Sequence, residues 1–369
     1  MKHCLAHARV ALSNPEEVIA RVCSHMAEHG GRDEERDGAR ILHIHGSQAR
    51  FTRDGDATLI EVTTGDLEGL YHMRSIIASH VLEFADGPVP EIEWAGDGGD
   101  LVRPPNFQIL QVVGVRDVTP HMRRLTLSGA DIARFAPMSA LHLNIIVQHP
   151  ALSEPQWPTV GRNGLVEWPD PEHRPLFRKY TVRSLDLAAG TLDIDFVLHA
   201  DAGPGSAFAG RARPGDRVGV VGPGGGGLVE ADWYLFAGDE TALPAIARML
   251  EHLPEGARGK AVIEVADAGE IQQFDVRAAI EIEWLLRNGA PAGTTSLLAD
   301  AVRGISLPAD GSRIYVWAGC EYQAFRAIRS YLRDERGLKT HEHLAVAYWR
   351  LGADKDDSGT ATGREEPPD

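Results

Sequence analysis

Arg178, Tyr180 and Thr181 put a guanidinium, a phenol ring and a hydroxyl within four residues. On a strand, Arg178 and Tyr180 project to one face and Thr181 to the other. A guanidinium can neutralise a pyrophosphate, a tyrosine ring can lie against an isoalloxazine, and a threonine hydroxyl can hydrogen-bond a flavin ring nitrogen. The set therefore suits a flavin dinucleotide. A tetrapeptide of this kind arises often by chance, so its surroundings decide. Downstream, the run 195–206 ends a strand in a Gly/Pro turn, with Val197, His199, Gly203, Pro204 and Ser206 in it. Such a turn offers backbone N–H groups and a hydroxyl to an anion where a helix begins. The later cluster Gly222-Pro223-Gly224-Gly225 invites a dinucleotide-fingerprint reading. No helix follows it and its spacing is not Gly-x-Gly-x-x-Gly, so it reads as a crossover between domains.

The elements around these residues fall into successive regimes. Residues 1–95 read as a small α+β domain of strand, helix, two strands, helix and strand. Asn14-Pro15-Glu16-Glu17 opens its first helix, with Asn14 as cap, and Asp66 opens its second. A hairpin is expected from 41–51 and 57–64 across Asp54-Gly55-Asp56. Residues 96–105 have linker composition. Over 106–230 short strands are expected at 107–116, 122–128, 141–148, 178–184, 191–199 and 217–221, the pattern of a six-stranded closed antiparallel barrel. Over 231–352 strands at 233–237, 261–265, 281–286 and 314–318 alternate with helices at 241–253, 295–303 and 322–336, which predicts a parallel sheet covered on both faces. Residues 353–369 are polar and acidic and read as a disordered tail.

Composition narrows the function. The chain has 369 residues and a formal net charge of −16 without any run of Lys or Arg, which argues against nucleic acid as a partner. Cys4, Cys23 and Cys320 are scattered and odd in number, which speaks against a disulfide framework or a four-cysteine iron–sulfur site. Redox chemistry must then come from a bound cofactor. No long apolar run and no leader-like start are seen, so a cytoplasmic protein without a membrane partner is expected.

Six segments in register resemble the siderophore-interacting protein family of ferredoxin-reductase-like flavoproteins. They are Thr119-Pro120-His121-Met122, residues 178–183, residues 195–206, residues 238–244 beginning Gly238-Asp239-Glu240-Thr241, residues 284–287, and Tyr348-Trp349-Arg350 with Gly352. The resemblance spans about two thirds of the chain and implies FAD as cofactor. It implies reduction of ferric siderophores, with electrons from NADH, NADPH or reduced ferredoxin. By position it assigns Arg178, Tyr180, Thr181 and Arg183 to the flavin and its pyrophosphate, and Val197, His199, Gly203, Pro204 and Ser206 to the ring edge and phosphates. Thr241, Ala242 and Trp349 complete the cofactor set. Arg350, beside Trp349, is the candidate for touching the ferric chelate. Arg326 joins it, from a helix face carrying Arg326, Arg329, Arg333 and Arg336. Cys320, Leu286 and Ala347 stand where the family usually has Gly, His and Gly. Asp239 and Glu240 would repel an extra phosphate, which favours NADH over NADPH. The chemistry needs no protein nucleophile or general base, so no catalytic side chain is nominated.

Half of the 16 histidines precede the linker. His25 and His29 lie one helical turn apart, and His43 and His45 share a strand face in this reading, so each pair could bind metal or haem. The segment resembles a small uncharacterised domain family found alone or fused to siderophore-interacting proteins. Two alternatives stay open: a flavin reductase serving another acceptor, and an iron- or haem-binding protein dominated by this His-rich domain.

Overall fold

The structure, a computed structural model, describes residues 3–199 and 203–352. The tail expected at 353–369, like residues 200–202 of the Gly/Pro turn, lies outside the described residues. The chain divides into two compact units. Among the described residues, one comprises 3–107 with 148–175, and the other 108–147 with 176–199 and 203–352.

The first unit contains β1 (Cys4–Val10), α1 (Pro15–Glu28), β2 (Arg32–Arg36), β3 (Ala39–Ile44), β4 (Ser47–Asp54), β5 (Ala57–Thr64), α2 (Leu67–Phe84) and β6 (Ala95–Gly96). Its sheet order is β2-β3-β4-β5-β1-β6. Strict alternation along β1 and β5 buries Ala6, Ala8, Val10, Ile60 and Val62 on one face, where they meet Val22, Cys23, Leu70, Ile77 and Val81 of the two helices.

Two expectations need correction here. Residues 41–51 are not one strand: His45 at φ 49° and Gly46 at φ 78° turn the chain between β3 and β4. A His-Gly pair in this left-handed region makes the tight hairpin turn that a run of apolar residues conceals. His45 therefore sits in a turn rather than on a strand face with His43. The charged segment 32–36, to which the sequence pattern assigns no element, is an edge strand, where charge discourages further pairing. Asn14 does precede α1, but its side chain donates to Glu17 instead of capping the backbone, whereas Asp66 caps α2 by accepting from the Gly69 N–H at 2.7 Å.

The chain continues with β7 (Phe107–Thr119), β8 (Met122–Ser128), β9 (His142–Val147), β10 (Thr159–Val160), β11 (Val166–Glu167), β12 (Leu176–Asp186), β13 (Thr191–Val197), α3 (Pro204–Arg211) and β14 (Arg217–Gly224). Six of these strands close a barrel in the order β12-β13-β8-β7-β14-β9. Its interior is apolar, with Leu110, Leu125, Leu143, Ile145, Ile194 and Phe196 buried together. The excursion 148–175 between β9 and β12, read from sequence as part of the barrel domain, belongs to the first unit. The Trp94 indole donates to the Asn163 carbonyl at 2.9 Å, and Leu165 packs on the first unit's core.

Beyond the barrel come β15 (Trp233–Gly238), α4 (Leu243–Glu251), β16 (Arg258–Val265), β17 (Ala279–Leu286), α5 (Leu297–Gly304), β18 (Ile314–Glu321), α6 (Tyr322–Ser330) and β19 (His343–Trp349). The sheet is parallel throughout, ordered β17-β16-β15-β18-β19. β15 is buried along its whole length, as a central parallel strand covered on both faces should be. The fold class expected from sequence holds, with β19 as an additional strand. The helix expected over 322–336 changes at Tyr331–Glu335 to a π-turn. A π-turn changes the angular spacing of side chains, which breaks the regular helical repeat relating Arg326 and Arg329 to Arg333 and Arg336. Arg333 instead donates to His343 Nε2 at 3.2 Å.

Candidate functional site

β12 lies between β13 and β9 in the barrel, and its register sets Thr181 opposite His142 and Arg178 opposite Ile145. The Tyr180 ring packs on Phe196 with centroids 4.2 Å apart, and burial raises its phenol well above the ordinary range. Arg178 is half-buried, with Nη1 donating to the Phe177 carbonyl at 2.9 Å. Beside β12 and β13 stands the start of α3, with Gly203 at the N-cap, Pro204 in the first turn and Ser206 buried. A helix leaves its first N–H groups without helical acceptors, and Gly203 at the N-cap has no side chain to take them. A Cβ on Gly205 would fall 2.1 Å from the Tyr180 hydroxyl, so only glycine lets the helix start come this close to the ring. Aromatic face, uncapped helix start, buried hydroxyl and guanidinium on adjoining elements fit FAD, whose diphosphate needs the cation and N–H groups and whose ring needs the flat wall. Val197, half-buried, ends β13, and His199 beyond it is exposed.

Arg183 is placed differently. Its two Nη atoms donate to the Glu251 carboxylate at 2.7 Å each, so its guanidinium is committed to α4. Thr181 is buried and its hydroxyl bonds the hydroxyl of Tyr348, which also meets His142 Nε2 at 2.6 Å. His142 is held down to about 4, by burial first and then by Lys179 and Arg248.

The second half of the site is the carboxyl edge of the parallel sheet. Chain order reverses between β15 and β18, the switch point at which open parallel sheets bind ligands. Asp239, just past β15, accepts from the Thr241 N–H and hydroxyl at 2.9 and 2.5 Å, from the Glu321 N–H at 3.0 Å and from the Trp349 indole at 2.8 Å. Burial pushes its carboxyl up to about 6 against those four donors. Ala242 is fully buried, filling the space beside Gly238 and Gly319, which pair across β15 and β18. Glu240 forms a bidentate pair with Arg287, whose Nη1 also reaches Glu264 at 3.5 Å. Asp239, Glu264, Glu321 and Cys320 line a small pocket with Thr295 and Gln323; it encloses about 30 Å³, space for water but not for a nicotinamide ring.

Trp349 lies over Gly293, and Arg350 places its guanidinium 4.7 Å from the Tyr322 ring centroid. Arg326 approaches the same ring at 6.0 Å, so the two arginines singled out in sequence converge on Tyr322. The Thr119 to Met122 segment acquires a role as well. Buried Glu270 accepts from the Thr119 hydroxyl at 2.5 Å and from the His121 N–H and Nδ1 at 3.0 and 2.8 Å, tying barrel to sheet domain. His142, Glu264, Arg287 and the Tyr348 hydroxyl were not singled out as site residues. The available signal was a carboxylate ending an otherwise apolar strand, as in Val262-Ile263-Glu264-Val265.

In the first unit the structure adds His80 to the expected pair. Its ring lies 4.7 Å from that of His25, which lies 4.9 Å from His29. Among the described residues no three His, Cys, Asp or Glu side chains are arranged to hold a metal ion. No helix among them is long and apolar enough to cross a membrane.

Residues 231–352 match the family described as siderophore-interacting protein, and residues 111–227 the siderophore-interacting FAD-binding domain. Residues 7–95 match a family described as an uncharacterized protein conserved in bacteria. The ferric vibriobactin reductase ViuB of Vibrio cholerae is 32% identical over 252 residues, covering 68% of this chain and 91% of that protein. A siderophore utilization protein from T. fusca superposes with a TM-score of 0.58 at 40% identity, over 70% of this chain and 97% of that one. The siderophore-interacting protein SipS from Aeromonas hydrophila gives a TM-score of 0.58 at 33% identity, over 68% and 94%.

Proposed function

The chain belongs to the siderophore-interacting protein family, and from that premise we propose that it is an FAD-dependent reductase that releases iron from ferric siderophores as Fe(II). The observation that carries the reading is the apposition of Tyr180 and the start of α3 at Gly205, a cradle built for a flat ring and a diphosphate. A flavin accepts two electrons as hydride and returns them singly, which couples a nicotinamide donor to a one-electron ferric acceptor. Arg178 and the N–H groups of Gly205 and Ser206 hold the diphosphate. Tyr180 walls the ring, and Thr181, whose hydroxyl already bonds Tyr348, offers its remaining lone pair to a ring N–H. Val197, His199, Gly203 and Pro204 close the ring edge, and Arg183 keeps β12 fixed through Glu251.

The donor enters at the carboxyl edge, where Thr241, Ala242 and Trp349 shape the approach. Asp239, Glu264 and Glu321 line the pocket there and Arg287 holds Glu264 and Glu240, an excess of carboxylates that disfavours an additional phosphate and supports NADH over NADPH. Reduced ferredoxin remains the competing donor. Arg350 and Arg326, paired at Tyr322, receive the anionic ferric chelate. Fe(II) binds hard oxygen ligands more weakly than Fe(III), so reduction loosens the chelate.

The test is a comparison of steady-state rates of the FAD-loaded protein with ferric siderophores, quinones and dyes, for NADH, NADPH and reduced ferredoxin in turn. Preference for ferric siderophores supports the reading. Equal rates with every acceptor would reduce it to a general flavin reductase.

A further inference from the structure

Arg248 on α4 is 1% exposed, yet among the described residues its guanidinium makes hydrogen bonds only to carbonyl oxygens. Nη1 donates to Val182 at 2.9 Å, and Nη2 to Phe135 and Ala136 at 2.7 and 3.2 Å. Nε has no partner. Glu251, three residues further along the same helix, is held by Arg183 instead. Burial pulls the Arg248 guanidinium down to about 10, which still leaves it charged at neutral pH. A buried cation without a counter-ion is expensive, and a fold normally removes or pairs it. Its field reaches the site. His142, opposite Thr181 in the β9–β12 ladder, is held down in part by Arg248, and Val182, whose carbonyl it grips, directly follows Thr181.

We propose that Arg248 sets the reduction potential of the flavin, as an unpaired buried cation held behind the strand that carries the isoalloxazine contacts. The inference rests on the FAD reading above. Hydride from a dihydronicotinamide brings two electrons and one proton, so a neutral oxidised flavin becomes an anion when no second proton follows. A fixed positive charge nearby favours that anion and makes the flavin easier to reduce. A purely structural staple, fastening α4 to Val182 and Phe135, would stabilise the fold and leave the potential alone.

The two are separated by spectroelectrochemical titration of the full FAD-loaded chain. Arg248→Gln keeps an N–H donor for a carbonyl and removes the charge; Arg248→Lys keeps the charge and loses the fork. Arg248→Gln should lower the reduced-to-oxidised ratio at fixed poise about tenfold, about 30 mV for a two-electron couple. Arg248→Lys should stay within about threefold of the unaltered protein, or about 15 mV by the same constant. An unmoved potential in flavin-loaded Arg248→Gln overturns the proposal. So does a tenfold fall in Arg248→Lys. If the Gln variant does not fold, Arg248→Met, which removes the charge and keeps the bulk, replaces it with the same expected tenfold fall, and an unmoved potential there overturns the proposal as well. A protein that never shows a flavin band fails at the earlier step: the FAD reading itself is then wrong, and the proposal falls with it.

Discussion

The Tyr348 hydroxyl lies 2.6 Å from His142 Nε2, joining the last strand of the parallel sheet to β9 of the barrel beside Thr181. The bond fixes the seam along which both halves of the site meet. Because burial holds His142 down to about 4, the imidazole there is neutral at physiological pH and shares a hydrogen bond with a phenol that keeps its proton.

That arrangement makes stability depend on pH with a definite sign. His142 binds its proton less readily folded than unfolded, so the unfolded state gains protons first as pH falls. Stability should decline from about pH 6.5 toward pH 4, by about 2–3 kcal/mol at the lower limit. Denaturant titrations at several pH values check this, with His142→Leu as comparison. An equally steep decline in that variant would assign the effect elsewhere.

Gly205→Ala forces a methyl into the space of the Tyr180 hydroxyl, 2.1 Å away, whereas Gly210, later on α3, has open space around its missing side chain. Gly205→Ala should weaken FAD binding by tenfold or more, about 1.4 kcal/mol or above. Gly210→Ala should bind FAD normally and gain up to about 1 kcal/mol of stability from helix propensity. Fluorescence titration with FAD and thermal melts read both.

Arg287 is the guanidinium that partners Glu240 and Glu264 inside the sheet domain. Arg287→Met leaves two buried carboxylates unpaired and should cost about 3–5 kcal/mol. Adding Glu240→Gln should restore part of that loss. A double variant as unstable as the sum of both single changes would show that the pair is not coupled.

Residues 148–175 belong to the first unit through Trp94 and Leu165. A chain lacking residues 1–95 should therefore become protease-sensitive within 148–175. Mass spectrometry of a limited digest identifies the cuts; an intact excursion would mean that it holds its conformation without Trp94.

The parts of this molecule legible in sequence are those whose logic is local. Arg178, Tyr180 and Thr181 declare a strand with two useful faces, and Gly203-Pro204 declares a turn into a helix. Alternating strands and helices after residue 231 identify the parallel sheet. Contacts distant in sequence left no such mark. Tyr348 meets His142 across 206 positions, and Glu270 receives His121 across 149. The family resemblance gives Arg183 to the cofactor, but the partner that claims it, Glu251, is visible only when α4 folds onto β12. The charged edge strand 32–36 and the His45-Gly46 turn were hidden because apolar periodicity is silent where a strand has no buried face or a hairpin turns within an apolar run.

The central claim is that electrons pass from this protein's flavin to siderophore-bound iron. The direct measurement is anaerobic mixing of the fully reduced, FAD-loaded chain with known amounts of a ferric siderophore. The flavin band should return in full at two equivalents of ferric complex per FAD, with two equivalents of Fe(II) trapped by a ferrous chelator. A flavin that stays reduced with excess ferric siderophore, while still reoxidising with a quinone or dye, would contradict the account.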